Sequence, residues 1–158
     1  LRAADVGWGP LTWLCCLATQ ITVGIVVVVT RIPIESNTEG VADGAVDRGY
    51  VISLLVLAVI AAPIVEEIVF RGLVLRGLLS RMGAVPAIAI QAVLFGVAHV
   101  DPVRGVGNIG LALVLGSVGA TLGAAAYLFR RIGPSILAHG ILNAVALTLV
   151  LSGVSGEL

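Results

Sequence analysis

The chain predicts an all-α fold, a polytopic transmembrane bundle of about five membrane-spanning helices. Three observations point there. Only 11% of the 158 residues are charged and 59% are hydrophobic, where a soluble domain carries about 25% charged residues. The mean hydropathy is +1.14. Five apolar stretches approach or reach the roughly 20 residues a spanning helix needs, and none shows the period-two alternation of a membrane barrel.

The first stretch covers about residues 11–30. It holds Cys15 and Cys16, adjacent in sequence and so poorly placed for a mutual disulfide; both read as small apolar packing or lipid contact. The second covers about 51–79 and contains VEEIVFRG, Val65 to Gly72. Pro63 precedes the glutamates by a turn and is expected to kink that helix. The third covers about 86–100, the fourth 109–129 and the fifth 134–151. Gln20 and Gln91 read as interhelical glue. Gly72, Gly77, Gly116, Gly119 and Gly123 read as positions of close helix approach. Together these form one membrane-embedded domain over 1–158, with a motif-bearing core at about 50–151. Beginning with leucine, the chain reads as part of a longer protein.

Charge narrows the function. The formal net charge is zero and every basic residue is arginine, scattered along the chain. A nucleic-acid partner would need a basic patch or stripe, so none is expected, and the lipid bilayer is the expected surrounding. Arg76 and Arg81 flank the turn between the second and third helices, and Arg130 and Arg131 fall on the same side if the spans alternate. Glu35, Glu39, Asp43 and Asp47 then lie opposite, with Asp101 and Arg104. Arginine-rich loops stay cytoplasmic, which orients the chain. Richness in alanine, glycine and arginine without lysine fits a GC-rich bacterium, and hence a multi-pass protein of its cell membrane.

Ionisable groups are costly in lipid and by default face a protein interior or a watery cavity. Those deep in the spans are Glu66, Glu67, Arg71, His99 and His139, joined by the amide of Asn143. Glu66 precedes the turn near Met82 and Gly83 by about as many residues as His99 follows it, so at roughly 1.5 Å per residue they reach a common depth. Residues four apart share a helix face. That pairs Glu67 with Arg71, Phe95 with His99, and His139 with Asn143.

The pattern Glu66-Glu67-x-x-x-Arg71, Phe95-x-x-x-His99, His139-x-x-x-Asn143 resembles the three motifs of the CPBP family. These are the CAAX proteases and bacteriocin-processing enzymes, including type II CAAX prenyl endopeptidases. The likeness runs from about Ala62 to Leu149. It implies an intramembrane endopeptidase acting on a peptide or membrane-associated protein. In that reading Glu66 takes a proton from a water attacking the scissile carbonyl, and His99 holds the water. His139 and Asn143 donate to the oxyanion, while Glu67, Arg71 and Phe95 support the site. The cavity is expected to open toward the cytoplasmic side.

A carboxylate partly stripped of water is a better base near neutral pH, and preorganised donors to an oxyanion are often the largest catalytic contribution. By type, Glu66, His99 and His139 could also ligate zinc, although the H-E-x-x-H spacing is missing. The sequence favours a water-activating glutamate with no required cofactor, with a zinc metalloprotease as the alternative. Two non-proteolytic readings stand beside it: an immunity or interaction protein, and a proton-coupled transporter, for which no inverted repeat is visible.

Overall fold

The computed structural model of the chain describes residues 1–35, 41, 47–100 and 108–152. Five apolar helices follow one another: α1 (Asp5–Val29), α2 (Arg48–Leu79), α3 (Ala84–Ala98), α4 (Asn108–Phe129) and α5 (Gly133–Leu151). The bundle is the one expected, with one difference in length. Four helices are long and apolar enough to cross a membrane, and α3 has 15 residues. That is about 22 Å, short of a hydrocarbon core of about 30 Å. Asp101 and Arg104, placed in a loop from sequence, and Glu39 and Asp43 of the acidic loop lie outside the described residues.

Each helix end has a local cause. The Asp47 side chain accepts from Tyr50 N–H at 2.9 Å and caps α2. α1 closes with Arg31 in the left-handed region (φ 55°) and Ile32 N–H reaching back to Val27 O at 3.0 Å, a Schellman closure. The reversal brings Pro33 O to Gly110 N–H at 2.9 Å, tying the start of α4 to the end of α1. At the other end Arg131 Nη2 lies 2.8 Å from the buried carboxylate of Asp5. Asp5, the 80–83 turn and Arg130–Arg131 therefore share one end, and Ile34 shares the opposite end with the start of α4.

α4 is the central post, packing against α1, α2, α3 and α5. Small residues make this contact possible. A Cβ on Gly96 of α3 would collide with the backbone carbonyl of Ala112, and one on Gly119 would stand 3.0 Å from Phe95 Cβ. Gly116 and Gly123 are also close-approach positions, as expected, at Ala92 O and the Gln91 amide. Gly77 is not: a Cβ there meets nothing within 4 Å, and one on Gly72 meets nothing nearer than 3.8 Å. Gln91 is fully buried with both amide atoms unpartnered, so it does not form the interhelical hydrogen bond expected of it. Cys16 is buried against Val118, Leu122 and Ala138, and Cys15 is exposed; both are free thiols.

Instead of a simple proline kink, α2 carries two π-helical stretches, Val56–Ala61 and Ile68–Leu75. The first has a readable cause. Ala62 N–H donates to Leu57 O, five residues back. The carbonyl of Ala58 would next be served by residue 63, but proline has no N–H. That carbonyl is left for a partner from another helix. π-bulges of this kind are frequent at functional sites, and here the two flank the glutamate pair.

Candidate active site

Glu66 and Glu67 lie between the two π stretches, and their side chains part company. Glu67 is fully buried. Its Oε1 takes Arg71 Nη1 at 2.6 Å and faces His139 Nδ1 at 3.0 Å. Arg71 Nη2 donates to Gly119 O at 3.0 Å, which pins α2 to α4. The Arg71 guanidinium carbon stands 4.4 Å from the centroid of the Phe95 ring, within cation–π range. The expected Glu67–Arg71 pair is therefore present, and it also reaches a third helix through His139.

Glu66 is half-exposed and turns toward the cavity. Its Oε2 is 3.4 Å from His99 Nε2 and 3.9 Å from His139 Nε2. The similar depth expected of Glu66 and His99 is what the helices deliver. α3 stops one residue short, so His99 sits at its C-cap (φ −97°, ψ 0°) and its Nδ1 lies 2.7 Å from Phe95 O. Phe95, 1% exposed, stacks against Phe70 (5.1 Å between centroids), His99 (4.6 Å) and His139 (5.8 Å). One ring thus fixes both imidazoles and the guanidinium.

Asn143 makes a contact the sequence reading did not include. Its Nδ2 donates to Ala58 O at 2.8 Å, the carbonyl that Pro63 leaves without a partner. One of its two N–H groups is thereby committed to the backbone of α2, and one remains. The signal was in the sequence, as a proline five residues after a carbonyl, but nothing there said which helix would answer it.

These groups border a cavity of about 710 Å³ to which all five helices contribute, with mostly apolar walls. Glu66, His99, His139 and Asn143 all line it, and so does Gln20, which sequence reasoning had treated as glue. From this depth the wall continues to Ile34, Val41, Leu149 and Val150. That is the end opposite Arg76, Arg81, Arg130 and Arg131. A cytoplasmic arginine end and a site opening toward the cytoplasm were both expected; the cavity runs away from the arginines, so the two do not hold together. Among the described residues no three His, Cys, Asp or Glu side chains stand as a metal-holding group; Glu66 and the two imidazoles come near one another without closing into one.

The family model for the Rce1-like type II CAAX prenyl endopeptidases matches residues 48–145, more than half of the chain. The chain belongs to this family. The matched span runs from the start of α2 into α5 and includes every residue of the cluster. Membership in the Rce1-like endopeptidases makes this a membrane protease by descent, and the resemblance seen in the three motifs is accounted for. Comparison with curated proteins and with solved structures finds no match.

Proposed function

We propose that the chain is an intramembrane endopeptidase in which Glu66 and His99 together activate one water. The observation that carries this reading is the 3.4 Å approach of Glu66 Oε2 to His99 Nε2. Phe95 O can only accept, so His99 Nδ1 carries a proton and the neutral ring presents a lone pair at Nε2. Glu66 Oε2 is also an acceptor. Two acceptors facing each other are satisfied by a water that donates to both, leaving its oxygen lone pairs turned to the cavity.

Attack then forms a C–O bond at the scissile carbonyl carbon, the carbonyl π pair moves onto oxygen, and Glu66 takes the water proton. Collapse breaks the C–N bond, and Glu66 returns the proton to the leaving amine. The remaining N–H of Asn143 is free to donate to the oxyanion. His139 spends Nδ1–H on Glu67, and its Nε2 faces Glu66 Oε2 at 3.9 Å on the cavity side. This chemistry uses no resident metal. The family's description names prenyl CAAX substrates, and the apolar wall suits a lipid-bearing or strongly apolar segment beside the scissile bond.

The test uses the full chain, purified in detergent, and a mixture of end-labelled peptides read by mass spectrometry. Cleavage by the wild type and its loss in Glu66→Gln, with the melting temperature kept, support the proposal. Equal cleavage by Glu66→Gln overturns it, and a wild type that cleaves nothing favours the interaction-protein reading.

A further inference from the structure

The active-site cavity leaves a second cavity unexplained. It lies at the arginine end of the bundle, holds about 350 Å³, and is lined by Arg71, Arg76, Arg130 and Arg131 with Tyr127 among them. Four arginines line it, and no carboxylate lines the wall. Arg71 is paired with Glu67 and Arg131 with Asp5. Arg76 and Arg130 have no acidic partner among the described residues. The arginines lining the cavity therefore carry an excess of about two positive charges over their acidic partners.

Arg71 adds an independent sign. It is 1% exposed, and while Nη1 and Nη2 are occupied, its Nε has no partner. A buried N–H left open costs on the order of 1–3 kcal/mol, unless the cavity it borders brings an acceptor. Arg131 Nε is likewise buried and unpartnered. Planar guanidinium forks match phosphate oxygens geometrically, and Tyr127 supplies a hydroxyl donor at the same rim.

We propose that this cavity binds a phosphate-bearing anion, with Arg76 and Arg130 at the mouth and Arg71 at the floor. Basic pockets between membrane helices commonly hold anionic lipid head groups, and a free phosphate offers the same chemistry. The proposal is independent of the protease reading. It gives Arg71 two faces, one on the Glu67–His139 pair and one on the bound anion.

The experiment uses the full chain in detergent. Thermal stability is followed with phosphatidylglycerol, phosphatidylcholine or inorganic phosphate added. Wild type is compared with Arg76→Gln/Arg130→Gln and with Arg48→Gln/Arg81→Gln, which removes the same charge outside the cavity. Stabilisation by phosphatidylglycerol over phosphatidylcholine, weakened about thirtyfold in apparent affinity by the first double variant and kept by the second, supports a lipid source. The same pattern with inorganic phosphate, and none with phosphatidylglycerol, supports a free phosphate. Equal responses of the two double variants, or no response of the wild type to either phosphate compound, overturn the proposal. If the first double variant does not fold, Arg130→Gln alone is read the same way.

Discussion

His139 Nδ1 lies 3.0 Å from Glu67 Oε1, the same oxygen that takes Arg71 Nη1 at 2.6 Å. The second glutamate of the pair thus holds an imidazole from α5 and a guanidinium from its own helix, and it has no exposure of its own. Glu66, one residue earlier, is half-exposed and free to act on the cavity. Adjacent carboxylates with such different surroundings should fail differently when changed.

Glu67→Gln should therefore damage stability and Glu66→Gln should not. Removing one partner of a buried ion pair leaves an uncompensated charge, which costs about 3–5 kcal/mol. Chemical or thermal unfolding in detergent is the measurement. Glu67→Gln is expected to lose several kcal/mol or fail to accumulate, with Glu66→Gln within about 0.5 kcal/mol of wild type. Equal stabilities would show that the buried network does not hold the bundle.

The bond from Asn143 to Ala58 O predicts coupling to Pro63. Asn143→Ala leaves a part-buried carbonyl without its partner, at about 1 kcal/mol. Pro63→Ala restores an N–H in α2 that can serve that carbonyl. In the double variant the cost of losing Asn143 should shrink, giving a coupling energy above about 0.5 kcal/mol in a double-mutant cycle. Strict additivity would mean that the amide and the proline act separately.

Gly96 and Gly77 make a contrasting pair. Gly96→Ala pushes a methyl into the Ala112 carbonyl and should cost about 1–3 kcal/mol by overpacking. Gly77→Ala meets open space and should be neutral or stabilising by up to about 1 kcal/mol through helix propensity. Melting curves of the two single variants decide it. A harmless Gly96→Ala would show that α3 and α4 are not in close contact.

The cavity mouth and the arginine turns lie at opposite ends of the bundle. In a Cys15→Ala/Cys16→Ala background, Ile34→Cys and Arg81→Cys should react with a membrane-impermeant maleimide from opposite sides of sealed vesicles. Labelling of both from one side would contradict the helix order described here.

Much of this was readable in the letters because it depends on spacing. The i,i+4 pairs Glu67–Arg71 and Phe95–His99, and the shared depth of Glu66 and His99, follow from helix rise and turn, and each is found. What spacing could not supply were contacts decided by three-dimensional neighbours. The Glu67–His139 bond joins residues 72 apart in sequence, and Arg71 reaches a backbone carbonyl on α4 that leaves no trace in residue type. Gly96, packed against the backbone of α4, looked ordinary because its neighbour is also backbone. The direction of the cavity escaped the charge rule, which orients loops and says nothing of where a bundle opens.

The most direct test of the Glu66–His99 pairing is a kinetic cycle on the wild type, Glu66→Gln, His99→Ala and the double variant, measured as kcat/KM on one cleaved peptide. Residues that act on a single water are strongly non-additive. The two single variants and the double variant are predicted to fall to a common floor within a few-fold of one another. Losses that multiply, or a Glu66→Gln enzyme that keeps wild-type activity, would contradict it.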